Sequence, residues 1–279
     1  MKYYDRILAG LLASVFAVTV QAQTNADETG GKTAGAVTTE ATATTDIDPE
    51  ALEIFKGMAD LIDAAGQFGY QAEYSYDAVQ ESGLKVEFGA SRKILVSRPD
   101  RMRVESRRRD GMRALIVFDS KKMWLFEPDE NVYATAEQPG DLDESIEFVV
   151  TGLRIKAPLA DLIEKGLYDK ITPTLTRALY LGETVVTGVA CEHLLMSNDY
   201  ADFQMWITSG DQPVLKRIVI TYREEPGQPQ FRGQFLNWDM SPGDTTGQFE
   251  FTPPEDAERI RIYVPAPVTD IGTDKEDKS

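Results

Sequence analysis

The chain reads as an α+β domain built on a large antiparallel sheet. One helical stretch near Asp48 is followed by a long run of alternating segments, then two short helical segments, then a second alternating run. Turn residues punctuate both runs at short intervals. A large twisted sheet must bury its apolar face, and the helices are the available cover.

Asp48-Pro49-Glu50 opens the first helix. Asp48 caps it, Pro49 suits the first turn, and Glu50 and Glu53 face the positive end of the dipole. Leu52, Phe55, Met58, Ala59 and Ile62 recur at helical spacing, which predicts one buried face. Gly66 and Gly69 are expected to end the helix.

Alternation then takes over. Tyr70 to Val79 and Leu84 to Val96 read as strands joined through a turn at Gly83. In the next strand Met102, Val104 and Ser106 share one face, and Arg101, Arg103, Glu105 and Arg107 the other. Ala114 to Phe118 and Lys122 to Glu127 form a hairpin, and Asn131 to Thr135 adds a short strand after the Pro128-Asp129-Glu130 turn.

A helical insertion follows the acidic start at Asp141. Leu142, Ile146, Val149 and Val150 are expected on one face, and Pro158 to Lys165 as a second short helix turning Leu159, Leu162 and Ile163 inward. Strands return over Thr176 to Leu181, Thr184 to Val186, Cys191 to Ser197, Phe203 to Thr208, Leu215 to Arg223 and Phe231 to Asp239. Gly182-Glu183, Thr187-Gly188, Ser209-Gly210-Asp211 and the Pro226 to Pro229 stretch supply the turns. No internal repeat of fixed period is visible.

The ends read differently. Lys2 and Arg6 precede the apolar run Ile7 to Val20, and Val20-Gln21-Ala22 follows with small residues. That order predicts a secretory signal peptide over residues 1–22, cleaved after Ala22, and hence a periplasmic protein. The alternative is an uncleaved N-terminal anchor, although the run is shorter than the roughly 20 residues a span needs. No cysteine follows the small-residue site, which excludes lipid attachment there. Residues 23–47, rich in Thr, Ala and Gly, read as a disordered tether, and residues 268–279 as a loose tail. Residues 48–267 remain as one domain with one sizeable core.

The net charge is −17 and the pI about 4.5, which argues against nucleic acid as a partner. A single cysteine, Cys191, cannot close an internal disulfide and reads as a buried small residue.

Several segments resemble the predicted periplasmic proteins grouped as a domain of unknown function, number 2092. They are RPDRMRVE (98–105), FEPDENVYAT (126–135), PLADLIEKG (158–166), GETVVTGVACEHL (182–194), MWITSGDQPVLKRIVITYRE (205–224), LNWDM (236–240) and FTPPEDAERI (251–260). The resemblance implies a fold like that of the outer-membrane lipoprotein carriers: a half-open antiparallel barrel, a large curved sheet with helices covering its concave face. It brings no activity and no catalytic residues.

The sequence offers no enzyme signature. His193, the one histidine, sits in a strand, where a structural role is the simpler reading. No cysteine or histidine cluster has metal spacing, and no nucleophile elbow, phosphate loop or dinucleotide fingerprint occurs. No catalytic residue, metal or cofactor is therefore assigned.

Two clusters stand out. Between Arg92 and Arg113 nine cations face only three acids, so Arg101, Arg103, Arg107, Arg108 and Arg109 are candidates for holding an anion or an acidic partner surface. The plain alternative is a solvent face of paired charges. Met102, Val104, Ile116 and Phe118, with Trp124, Phe126, Trp206 and Trp238, are candidates for lining a concave cavity, the alternative for the tryptophans being ordinary core.

The leading expectation is a non-catalytic periplasmic binding protein for a hydrophobic or amphiphilic ligand, such as a lipid. An interaction or sensor module that binds an envelope protein partner is the second, and an undetected hydrolase the third. The volume and lining of the concave face decide between the first and the others.

Overall fold

A computed structural model describes residues 46–153 and 157–261. The expected signal peptide, most of the tether and the tail lie outside the described residues.

The first helix, α1, spans Pro49–Ala64 and buries Ala51, Phe55, Met58, Ala59 and Ile62. Asp48 caps it by accepting a hydrogen bond from the Glu50 amide at 2.9 Å. The same side chain accepts from the Tyr180 amide at 3.3 Å, so the cap also ties the helix to a strand distant in sequence.

Six strands follow: β2 (Gln67–Val79), β3 (Lys85–Ser97), β4 (Arg101–Arg108), β5 (Arg113–Asp119), β6 (Lys122–Glu127) and β7 (Val132–Glu137). Five more close the chain's second half: β8 (Arg177–Val186), β9 (Val189–Ser197), β10 (Ala201–Thr208), β11 (Leu215–Tyr222) and β12 (Gln230–Asp239). Two-residue strands β1 (Asp46–Ile47) and β13 (Glu258–Arg259) stand at the ends. The order is β1-β8-β9-β10-β11-β12-β2-β3-β4-β5-β6-β7-β13, one 13-stranded sheet that does not close on itself. Pairing is antiparallel except at the two short edge strands. The α+β half-open barrel expected from the sequence is the fold observed.

Register assigns the faces, because residues paired across an antiparallel ladder share one. Tyr70 pairs with Ile94, Ile94 with Val104, and Val104 with Ile116, all on the inward side. On the other half of the sheet, α1 packs against β8 and β10, over inward residues such as Leu194, Met205 and Ile207. There the inward side chains are buried in the core.

The sheet's first half is covered differently. Helix α2 (Leu142–Glu147) starts with a capping box between Asp141 and Glu144 and runs into a π-helical turn over Phe148–Gly152. A 3-10 turn follows at Ala160–Leu162, then α3 (Leu167–Ile171). Arg98 fastens this cover to the sheet: its guanidinium donates to the carbonyls of Ile163 (2.7 Å) and Glu164 (3.3 Å) and lies 5.2 Å from the Phe68 ring.

Several expectations need correction. Gly69 does not end α1 but sits inside β2, where a side chain's Cβ would come within 3.1 Å of the Ile94 carbonyl. Pro158 to Lys165 is no helix: Leu159 adopts a left-handed conformation (φ 73°), which leaves room only for the 3-10 turn. The π-helical turn adds a residue per turn and rotates Val150 to the surface while Val149 stays inward. Gly182-Glu183 is a bulge inside one continuous β8 rather than a turn between two strands. Asp46 and Ile47, read as the end of the tether, pair with Arg177 and Ala178.

The outward face of β4–β6 is also clothed. The segment after β12 lays Phe251 against Trp124 (5.8 Å between ring centroids) and Phe126 (5.4 Å), and Phe249 is buried nearby.

Candidate functional site

The inward face of β2–β6 and the cover above it do not pack solid. Between them lies a hollow of about 200 Å³. Its floor is Ile94, Met102, Val104, Ile116 and Phe118, and its roof includes Ile146, Val149, Leu159 and Ile163. The lining is overwhelmingly apolar. A mixed lining would hold ordered water; this one favours hydrocarbon over water.

The outward face carries a larger depression, about 540 Å³, lined by Lys93, Arg103, Glu105, Arg107 and Phe126 among others. It is broad, open to solvent and bordered by charges of both signs, so it neither excludes water nor presents one chemistry. The inner hollow is the better site because burial from water gives its apolar walls their binding energy.

Of the residues expected to line a cavity, the structure brings together Met102, Val104, Ile116 and Phe118, with Trp124 at the border. The Trp124 ring itself lies toward Phe251, with its indole N–H donating to Asp119 at 2.8 Å. Three do not belong there. Phe126 faces outward beneath Phe251. Trp206 is on the outward face of β10, its ring stacked on His193 at 4.3 Å and 5.5 Å from the Arg217 guanidinium. Trp238 belongs to a packed aromatic stack with Tyr70 (4.5 Å) and Phe235 (5.7 Å), its indole N–H donating to the Leu215 carbonyl. Apolar character did not distinguish these positions; only strand phase and the bulge before Asp239 do.

The arginine cluster does not form one patch. Alternation sends Arg101, Arg103 and Arg107 outward and Arg108 inward, while Arg109 stands just past the strand's end. Most have acids: Arg103 with Glu105 (2.9 Å), Arg108 with Asp110 (2.5 Å), Arg109 with Glu87 (2.6 Å), and Arg101 more loosely with Asp100 (3.9 Å). Arg113 is held by Asp129 at 2.7 Å. Arg107 is exposed and has no ion pair among the described residues. These exposed pairs contribute little to stability.

His193 has its pKa lowered, by burial first, with a hydrogen bond to Gln204 opposing it. Cys191 is fully buried and burial raises its thiol pKa, which makes it a poor nucleophile. Among the described residues no group of three or more metal-ligating side chains converges, and no helix is long and apolar enough to cross a membrane.

One buried acid is out of place. Glu127 shares the inward face of β6 with Met123 and Leu125, is 1% exposed, and neither carboxylate oxygen has a hydrogen-bond partner among the described residues. Burial, helped by the charge of Glu130, pushes its pKa from 4.5 up to about 7. Between those values the folded chain holds a proton that the unfolded chain has released. Stability therefore falls as pH rises through that window and stays reduced above it. Glu127→Gln is expected to raise stability by about 1–3 kcal/mol at pH 8 and to change it little at pH 4. Urea unfolding at the two pH values checks this; an equal gain at both would show that charge is not the cause.

Comparison with known proteins places the chain. The family described as "Predicted periplasmic protein (DUF2092)" matches residues 51–263. No curated protein matches the chain. Among solved structures, an uncharacterized conserved protein from Thermus thermophilus is 12% identical, with a TM-score of 0.44, covering 76% of this chain and 99% of its own. The Mycobacterium tuberculosis lipoprotein LppX is 11% identical, with a TM-score of 0.44, covering 71% and 98%. The Pseudomonas aeruginosa MucA/MucB complex is 14% identical, with a TM-score of 0.41, covering 73% of this chain and 61% of that one.

Proposed function

This chain belongs to the DUF2092 family of periplasmic proteins, and from that premise we propose that it is a non-catalytic carrier for a hydrophobic or amphiphilic ligand. The observation that carries this reading is the apolar hollow between the inward face of β2–β6 and its cover. A protein selected only for stability would fill that space, since each lost packing contact costs dispersion and hydrophobic energy.

The size of the hollow narrows the ligand. Pockets for drug-sized molecules run roughly 300–1,000 Å³. About 200 Å³ admits the end of a hydrocarbon chain, not a whole lipid. The inward face continues beyond the hollow along the β2–β3 hairpin, where Tyr76 stacks on Phe88 at 5.9 Å and Val86 and Phe88 are exposed. The rest of a chain would lie along this strip. Each methylene withdrawn from water contributes about 0.8 kcal/mol, so six give about 5 kcal/mol without any special chemistry.

Native mass spectrometry of protein taken from periplasm, together with titration of a fluorescent fatty acid, tests the reading. Bound amphiphile and saturable uptake are expected. Ile116→Phe extends a side chain into the hollow and is expected to weaken uptake about tenfold or more while leaving the unfolding midpoint unchanged or slightly raised. A clean apo mass together with no uptake of the fluorescent acid by the wild type would remove the proposal.

A further inference from the structure

Among the described residues the hollow has one charged residue in its lining. Arg92 projects from the inward face of β3, opposite Ala72 on β2 and Ser106 on β4. It borders the hollow, the adjoining depression beneath the β2–β3 hairpin, and the outward groove, which places it at the mouth rather than the floor. Its guanidinium lies 4.7 Å from the Tyr74 ring, on an aromatic support.

Within the stretch from Arg92 to Arg113, what sets Arg92 apart is being half-buried without an acid. Arg98 is bonded to two carbonyls, and Arg101, Arg103, Arg108, Arg109 and Arg113 each have a carboxylate. Lys93 and Arg107 are exposed to water. Arg92 is half-buried, has no acid within ion-pair distance among the described residues, and its buried Nε has no hydrogen-bond partner among them. No carboxylate among the described residues lines the hollow either. On a chain carrying 46 acidic residues, a cation kept free of them at the mouth of an apolar cavity is a site waiting for an anion. Guanidinium offers a planar fork that holds a carboxylate or phosphate in two places.

We infer that the ligand is an anionic amphiphile with its carboxylate or phosphate head on Arg92 and the end of its chain between Val104, Ile116 and Phe118. This rests on the carrier reading and adds the head-group charge and the orientation. The head sits in partly dry surroundings, where a charge-assisted hydrogen bond is stronger than in water.

The test compares four probes with the same twelve-carbon chain, each titrated calorimetrically below its micelle concentration: dodecanoate, dodecyl phosphate, monododecanoyl glycerol and dodecyltrimethylammonium. Both anions are expected to bind about tenfold or more tightly than the neutral glyceride, with the cation weakest. Arg92→Gln is expected to erase the preference for anions while the glyceride still binds, which also reports that the variant is folded. Arg92→Lys is expected to keep a preference for anions but to lose more affinity for the phosphate, whose two-point grip needs the fork. Dodecanoate against dodecyl phosphate separates a fatty acid from a phospholipid-type head. Equal binding of all four by the wild type, or an anion preference that survives Arg92→Gln, overturns this inference and leaves the carrier reading standing. No binding of any probe removes both.

Discussion

Phe235→Ala is expected to destabilise the protein by about 3–5 kcal/mol, the largest loss expected from a single truncation in this core. Phe235 is fully buried on the inward face of β12, 5.3 Å from the Tyr70 ring and 5.7 Å from Trp238. It stands where β12 pairs with β2, the junction that joins the two halves of the sheet. Neighbouring Gly233 leaves no side chain to slide into the gap, and the surrounding rings are rigid, so the cavity would collapse only in part. In a domain of this size the melting temperature is expected to drop by roughly 6–20 °C. Tryptophan fluorescence should change as well, because Trp238 loses a stacked partner. A drop of less than about 2 °C would mean that the two halves hold together without this stack.

Arg232→Met is expected to cost about 3 kcal/mol at neutral pH, and less in acid. Asp77 is 5% exposed and accepts both arms of the Arg232 guanidinium, at 2.9 and 3.2 Å, and the Gln230 amide at 3.0 Å. Burial by itself raises the Asp77 pKa, but the Arg232 fork and the amide outweigh it and hold the carboxyl below its ordinary value. A depressed carboxyl stabilises the fold above the unfolded pKa, near 4, and that contribution fades as pH falls through the folded value. Removing Arg232 leaves burial dominant, so the carboxylate is stranded at neutral pH and relieved when protonated. Glu87, 3.6 Å from the same guanidinium, is more exposed and offers no replacement cation. Denaturant midpoints at pH 7 and pH 3.5 check this. Equal losses at both would show that the methionine, not the stranded charge, is responsible.

Much of this architecture is legible in the residues. The phase of Met102 and Val104 against Arg101 and Arg103 assigns the faces of β4 correctly, because side chains alternate along any strand. Phe55, Met58, Ala59 and Ile62 mark the buried stripe of α1 for the equivalent helical reason. Other features escape because they are non-local. Edge strands of two residues carry no pattern, and β1 and β13 exist only because β8 and β7 offer open hydrogen-bonding edges. The left-handed Leu159 breaks an apolar run that looks helical.

The candidate site divides in the same way. Composition finds the arginines but not their partners. Glu87 and Asp129 lie 22 and 16 residues from the cations they hold, across turns whose register only folding sets. It also finds the large apolar residues but cannot tell Phe118, in the hollow, from Phe126, one strand away and facing out beneath Phe251.

By itself, then, the sequence determined the first helix, the long strands and the face each presents, since these follow from spacing along a single strand or helix, and its matching segments pointed to the family. Tertiary structure alone decided that a hollow survives under one half of the cover and that Arg92 opens onto it without an acid. Those facts depend on how elements far apart in the chain curve, tilt and pack together, and short-range periodicity contains no measure of that.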